Sequence, residues 1–367
     1  MPWTTADEIA ADNEKVIYIP DSDISGTAAE LAKIKSLVLV GGYSFTDEDE
    51  SFFCDPVLDD TLIDDADWST IEYDKILFGY KGHFYTARRG NITDISFLEY
   101  FPNLESLIIS GNKVTDISPI FQLKNLQNLG LEFNYITSIE GISALENLID
   151  VKLGYNKFTD TADLFDCPML CGVDLQGTPL TELGTDDLSR IGTLDIFSTD
   201  ISYVPKMGVG LEGVCLVANA SNVTDYSFLS EAKSFGCIYA TGSVKETLLP
   251  VIKGKPIDSL NWDRSDILSL TELDGLEFFP EGSGKLELIT CDIEDLHGAE
   301  NIKGLKTIGL FSDLKLKSLD GLEACESLEI VGVYSSLTDQ VKKLRNHAEI
   351  INTFFSLKHW KNHCVLT

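Results

Sequence analysis

Residues Leu104-Glu105-Ser106-Leu107-Ile108-Ile109-Ser110-Gly111-Asn112-Lys113-Val114-Thr115-Asp116-Ile117 spell L-x-x-L-x-L-x-x-N-x-L-x-x-L with aliphatic residues at every L. Twenty-two residues on, the same frame holds Leu126, Leu129, Leu131, Asn134, Ile136 and Ile139. It recurs as Leu148/Val151/Leu153/Asn156/Phe158, then as Leu170/Val173/Leu175/Thr178/Leu180/Leu183. The series goes on with Ile191/Leu194/Ile196/Thr199/Ile201/Val204, and with Leu211/Val214/Leu216/Asn219 followed, after two extra residues, by Val223. Self-similarity at a fixed period is the signature of a stacked-repeat architecture. Side chains alternate across a strand, so the paired leucines at offsets +3 and +5 point inward and +2, +4 and +6 point to solvent. An asparagine at +8 stands at a tight bend, where its amide can satisfy backbone groups of adjacent turns.

Outward from this core the frame loosens. Leu286/Leu288/Cys291/Ile293/Leu296, Leu305/Ile308/Leu310/Asp313 and Leu328/Val331/Val333/Ser336 each match a turn. Between 235 and 282, Phe235/Ile238/Ala240 and Ile257/Leu260/Trp262 are the best-placed triplets. Upstream, Ile34/Leu37/Leu39 and Tyr73/Ile76/Phe78 read as divergent strands, with the array starting near Val16. Threonine, serine, cysteine or aspartate at +8 can make only part of an asparagine's bonds, which predicts looser later turns.

These residues resemble the leucine-rich repeat family in its 22-residue class, which includes the internalins and the phosphatase-regulatory repeat proteins. A second signature supports the resemblance: Thr93-Asp94-Ile95-Ser96, Thr115-Asp116-Ile117-Ser118-Pro119 and Thr224-Asp225-Tyr226-Ser227, with the variants Ser318-Leu319-Asp320-Gly321-Leu322 and Glu272-Leu273-Asp274-Gly275-Leu276. The resemblance covers about residues 70–340. The implied fold class is an α/β solenoid: a leucine-rich repeat horseshoe with a concave parallel β-sheet. Twenty-two residues leave too few for a full outer helix, so the convex side should be mostly 3₁₀ or irregular.

The expected division is an N-terminal cap with divergent repeats over 1–79, repeats over 80–338, and a capping helix with a tail over 339–367. The helix is read from Val341, Leu344, Ala348, Ile351 and Phe355 after a Thr338/Asp339 cap. Thr27-Ala-Ala-Glu30 is a capping-box match before a short helix. Residues 47–74 hold twelve acids and no base, yet also Phe52, Phe53, Leu62, Ile63 and Trp68, so packing is expected there. Calcium-loop spacing is missing from that segment.

Across 367 residues, 28 Lys+Arg face 59 Asp+Glu, a net charge of −31. Such a chain is repelled by nucleic acid and by anionic membranes, which excludes both as expected partners. No stretch approaches the roughly 18 uncharged apolar residues of a membrane span, and Met1-Pro2-Trp3 followed by Asp7 and Glu8 does not read as a signal peptide. Eight thinly spread cysteines read mainly as reduced, buried fillers, pointing to the cytoplasm. A secreted or cell-surface protein whose signal had been removed would look the same.

Several motifs tempt and fail. Gly208-Val-Gly210-Leu-Glu-Gly213 matches G-x-G-x-x-G but precedes a strand, whereas a dinucleotide site needs it after one. Gly282-Ser-Gly284-Lys285 lacks the rest of a P-loop and reads as a turn. His359, His363 and Cys364 could ligate metal but sit in a terminal tail. No catalytic residue, metal or cofactor is expected, and the chain is read as a non-enzyme.

In the resembled family the concave face binds partners. At outward strand offsets this sequence places Glu132, Phe133, Asp150, Tyr155, Asp174, Asp195, Phe197 and Tyr239, expected as the partner-binding site. The expected partner is another protein, and the charge favours a basic one. Alternatives are an acidic immunity or inhibitor protein for a basic toxin or nuclease, and an internalin-like surface adhesin.

Overall fold

In the computed structural model, the described residues are 17–18, 28–39, 43–46, 54–56, 75–80, 83–88, 90–311, 315–333 and 349–351. They fall into two compact units, one running to Thr185 and the other beginning at Asp186.

In the first unit the repeat register is as expected. Strands Ser106–Ile108, Asn128–Gly130, Asp150–Lys152 and Gly172–Asp174 run parallel, aligning Leu107 with Leu129, Leu129 with Val151 and Val151 with Val173. Leu107, Leu129, Leu131, Val151 and Leu153 are all buried. Leu37 aligns with Leu107 and Ile17 with Leu37, so the array does begin near Val16. The Ile76/Phe78 expectation fails. Strand Lys75–Tyr80 lies antiparallel between Cys54–Pro56 and His83–Arg88, with Tyr43–Thr46 on the far side of His83–Arg88. This four-stranded sheet is inserted between two consecutive solenoid turns. Beyond Cys54–Pro56, the acidic segment 47–74 lies outside the described residues.

In the second unit the parallel strands are Thr193–Asp195, Val214–Val217, Phe235–Thr241, Pro256–Asp263, Lys285–Ile289, Thr307–Phe311, Ile330–Val333 and Glu349–Ile351, with the short Glu277–Phe278 also pairing parallel to Pro256–Asp263. Ile238 aligns with Leu260 and Ala240 with Trp262, bearing out the triplets chosen between 235 and 282. One turn departs from its expected frame. Leu194 aligns with Leu216, not Val214, which places Ser221 rather than Asn219 at the bend. The two extra residues therefore lie before the strand, not after it. At the C-terminal end, Glu349–Ile351 is a strand parallel to Ile330–Val333, where the apolar spacing predicted helix. Three strand residues continue the sheet by backbone pairing, which the side-chain period of 341–355 does not register. The rest of 339–367, with its histidines, lies outside the described residues.

Outer segments are mostly short 3₁₀ turns such as Ser96–Tyr100, Ser118–Gln122 and Ser227–Leu229, with α-helix among the described residues at Ala28–Leu31, Ala162–Phe165 and Lys245–Ile252. The T-D-x-S signature explains their starts. Asp94, Asp116 and Asp225 each accept the backbone N–H two residues on, at 2.8, 2.9 and 2.9 Å. These bonds hold the Asp94 and Asp116 carboxyls below the ordinary carboxylate range.

Candidate functional site on the outward face of the repeat strands

Two columns of residues end each strand and decide what the sheet presents. The first is the bend residue at +8. Asn134 Nδ2 donates to the carbonyls of Leu131 (2.9 Å), Ile109 (3.0 Å) and Glu132 (3.4 Å), and its Oδ1 accepts the Val114 N–H at 3.0 Å. Asn112 and Asn156 repeat this pattern in the neighbouring turns. The inward-pointing asparagine ladder is present as expected. Thr178, Thr199 and Ser221 follow in the column. Each hydroxyl donates only to a carbonyl of its own turn: Leu175 (2.5 Å), Ile196 (2.8 Å) and Ala218 (2.6 Å).

The second column, one residue earlier, is left-handed throughout: Gly111, Phe133, Tyr155, Gly177, Ser198, Ala220, Gly242, Arg264 and Thr290 all have φ between 53 and 91°. In the first unit the two aromatic side chains of this column meet each other rather than project apart: Phe133 and Tyr155 stack, centroids 4.2 Å apart and planes within 11°. Gly177 continues the column beneath Tyr155. A Cβ at 177 would come within 2.5 Å of the Tyr155 ring, so this position needs glycine for space as well as for φ.

Four of the eight expected binding residues are therefore not solvent-facing. Phe133 and Tyr155 are buried, Tyr155 only 6% exposed, because the bend turns them into each other. Glu132 is fully buried at 0%. It accepts a 2.5 Å hydrogen bond from Ser110 Oγ at Oε2, while its Oε1 has no partner. Burial drives its carboxyl up to about 8, the Lys152 ammonium opposing and Asp174 reinforcing the shift. Tyr239 points outward from its strand yet is only 5% exposed, and burial raises its phenol.

The other four remain part-exposed. Asp150 is raised by burial against the pull of Lys152. Asp174 accepts the Gln176 N–H and Nε2 at 3.0 Å each, and Asp195 accepts the Phe197 N–H at 2.8 Å. These two carboxylates thus brace their own strand ends as well as facing outward. The sequence reading sets Lys285 and Glu287 at outward offsets but misses Ser259 and Asn261, which stand with them in a polar cluster of the second unit. Asn261 Nδ2 donates to Glu287 Oε2 at 2.8 Å, and Lys285 Nζ sits 2.6 Å from Glu287 Oε1. Strand alternation places all four outward, a signal available once the 235–282 frame is set.

The failed motifs end where the sequence put them. Gly208, Gly210 and Gly213 have φ of 63, 72 and 66° in the loop before Val214–Val217, and Lys285 opens a strand. Among the described residues no group of three His, Cys, Asp or Glu is placed to hold a metal ion, and no helix is long and apolar enough to cross a membrane. Cys167, Cys215, Cys291 and Cys325 are buried free thiols and Cys171 is an exposed one, but Cys237 is disulfide-bonded.

No family model and no curated protein matches the chain. Solved structures do. An internalin (inlF) from Listeria monocytogenes superposes with a TM-score of 0.54 at 21% identity, over 72% of this chain and 80% of that one. The fold is that of the leucine-rich repeat proteins. A leucine-rich repeat protein of Leptospira interrogans matches 88% of this chain and 91% of its own at 17% identity, with a TM-score of 0.49. At these identities the likeness is one of leucine-rich repeat architecture.

Proposed function

We propose that this chain is a non-enzymatic protein-interaction module, binding a basic protein partner through the outward side of its repeat strands. The observation that carries the reading is that each unit, taken by itself, has part-exposed acids at outward strand offsets: Asp150 and Asp174 in the first, and Asp195 beside Phe197 in the second. With the chain at −31, such acids steer a basic partner during encounter. Phe197 is the aromatic anchor, since the burial of Phe133 and Tyr155 removes them from that role. The test is an affinity capture from native lysate, then titration of the captured partner against Asp150→Lys, Asp174→Lys, Asp195→Lys and Phe197→Ala. Slower association in the charge reversals and faster dissociation in Phe197→Ala are expected. Unchanged kinetics in all four, with the fold intact, defeat the reading.

The Cys237 disulfide favours the adhesin-like alternative in one respect. Disulfides persist in oxidising compartments, so it supports a secreted or surface protein over a cytoplasmic one. Counting free thiols in protein taken directly from its native source decides between them: a reduced Cys237 returns the chain to the cytoplasm. The immunity-protein alternative rests on charge and predicts that the captured partner is a basic toxin or nuclease.

A further inference from the structure

In the first unit, one buried carboxyl stands among charged neighbours with an oxygen unpaired. Gly111 N–H donates to the Glu132 carbonyl, Phe133 N–H to that of Gly154 and Tyr155 N–H to that of Gln176. Ser110, Glu132, Gly154 and Gln176 thus form one outward row. On one side of Glu132, Ser110 Oγ fills Oε2 at 2.5 Å. On the other, residue 154 has no side chain and its neighbours take the space: a Cβ there would meet Gln176 Cγ at 2.7 Å and Asp174 Oδ1 at 3.1 Å. The Asp174 carboxylate therefore leans over Gly154 towards Glu132. Glu132 Oε1, in a side chain with no exposure, has no partner.

An oxygen out of water and without a donor is better served by a proton than by a charge. Burial holds the Glu132 carboxyl near 8, with Lys152 opposing and Asp174 reinforcing the shift. With Oε2 given to Ser110, the proton sits on Oε1. The other titratable groups facing it come from the next two strands. Lys152 aligns with Gly130 on one side and with Asp174 on the other. Asp150, on the Lys152 strand, is itself raised by burial against the pull of Lys152. The Cys171 thiol is raised by burial and by Asp150, and Tyr155 gives its hydroxyl to Gln176 at 3.4 Å. From the preceding strand the group facing Glu132 is the Ser110 hydroxyl. A further positive charge about 10 Å away, at an effective dielectric of about 20, lowers the proton affinity of a carboxyl about tenfold. Asp174 lies within electrostatic reach, since its charge already acts on Glu132.

We propose that Glu132 is a proton-linked sensor of the basic partner: a cationic group seated at Asp150 and Asp174 drives the proton off Glu132 Oε1 into solvent, so the first unit binds more tightly as pH rises through neutrality. The inference rests on the reading of Asp150 and Asp174 as the seat of a basic partner, and adds its regulation. Glu132 needs no contact with the partner, because Asp174 leans towards it across Gly154 and carries the field. Coupling of this kind is reciprocal, so the proton on Glu132 weakens the cation by the same factor that the cation weakens the proton.

The probe is acetylated octa-arginine amide, whose guanidinium groups do not titrate. Calorimetric titration of the full chain at pH 7.5, in phosphate and in Tris, gives the protons released per peptide bound. Wild type should release about half a proton more than Glu132→Gln, and should gain about sixfold in affinity from pH 6.5 to 8.5 where Glu132→Gln gains less. Asp150 adds equally to both chains, so the difference isolates Glu132. Equal release from the two overturns the sensor and leaves the partner reading standing. Equal affinity of wild type and an Asp150→Lys, Asp174→Lys chain overturns the partner reading, and the sensor with it. A second measurement uses no partner: Asp174→Lys plants the cation in the chain itself, with folding checked by circular dichroism. Carboxyl carbon NMR, with the Glu132 signal assigned by its loss in Glu132→Gln, should show the Glu132 midpoint falling by about one pH unit or more. An unmoved midpoint overturns the coupling, whatever the peptide does.

Discussion

The turns that carry asparagine at the bend and the turns that carry a hydroxyl there are held together differently. Around Asn112, Asn134 and Asn156, strands are three residues long, and each amide ties its own bend to the preceding turn. After Thr199 and Ser221 the hydroxyl bonds within its own turn only, but strands lengthen to seven residues at Phe235–Thr241 and eight at Pro256–Asp263. The job of joining one turn to the next passes from a side-chain ladder to the backbone ladder. A repeat position can therefore decay without loss of the fold: at Thr178 and Thr199 the strands stay three residues long, and only farther along do they extend.

The largest effect that can test this contrast is in the aromatic stack. Tyr155→Ala should cost about 3–5 kcal/mol in chemical denaturation, because it empties a buried site against Phe133. Phe197→Ala, at the part-exposed equivalent one residue earlier in its turn, should cost about 1 kcal/mol. Next, Asn134→Ala should cost about 3 kcal/mol, since it leaves the buried Val114 N–H and several carbonyls without a partner. Thr199→Ala removes one bond and should cost about 1 kcal/mol. Equal costs for the two bend positions would break the comparison.

A third effect depends on pH. Glu132 titrates near 8 in the folded chain against 4.5 unfolded, so between those values the folded state holds a proton that the unfolded state has released. Stability is then full below pH 4.5 and falls as pH rises towards 8, by on the order of a few kcal/mol. Glu132→Gln, neutral throughout, should flatten that slope in denaturant midpoints measured from pH 5 to 8. The smallest effect is at the caps. Asp116→Ala should cost about 1 kcal/mol, and less at low pH, where the carboxylate that accepts the Ser118 N–H is protonated.

Fold and core were legible because the signal repeats. Leu107, Leu129 and Val151 occupy one column whose burial each turn confirms for the next. The outward face was only half legible, for two physical reasons. Alternation describes a strand, but Phe133 and Tyr155 stand just past its end, in left-handed backbone that re-aims them. Alternation also says which way Tyr239 and Glu287 point, and not how deeply they are buried. The turn at Leu211 misled because Val214/Leu216 fits the pattern as well as Leu216/Ala218 does, and only strand pairing chooses between them. A similar blindness hid the strand at Glu349–Ile351.

The sheet inserted after Leu39 also sets an order of events in folding. Most neighbouring strands of the first unit are 22 residues apart, as Ser106 is from Asn128, but Ser36 must find Ser106 across 70. Closing the longer loop costs about 1 kcal/mol more in chain entropy, before any time the excursion needs to form its own antiparallel pairs. The turns from Leu104 to Asn156 can nucleate locally, while the turn holding Leu37 docks onto them afterwards. The N-terminal end of the array should thus arrive late and leave early, which pulse-labelling hydrogen exchange would record as protection at Leu39 trailing that at Leu131.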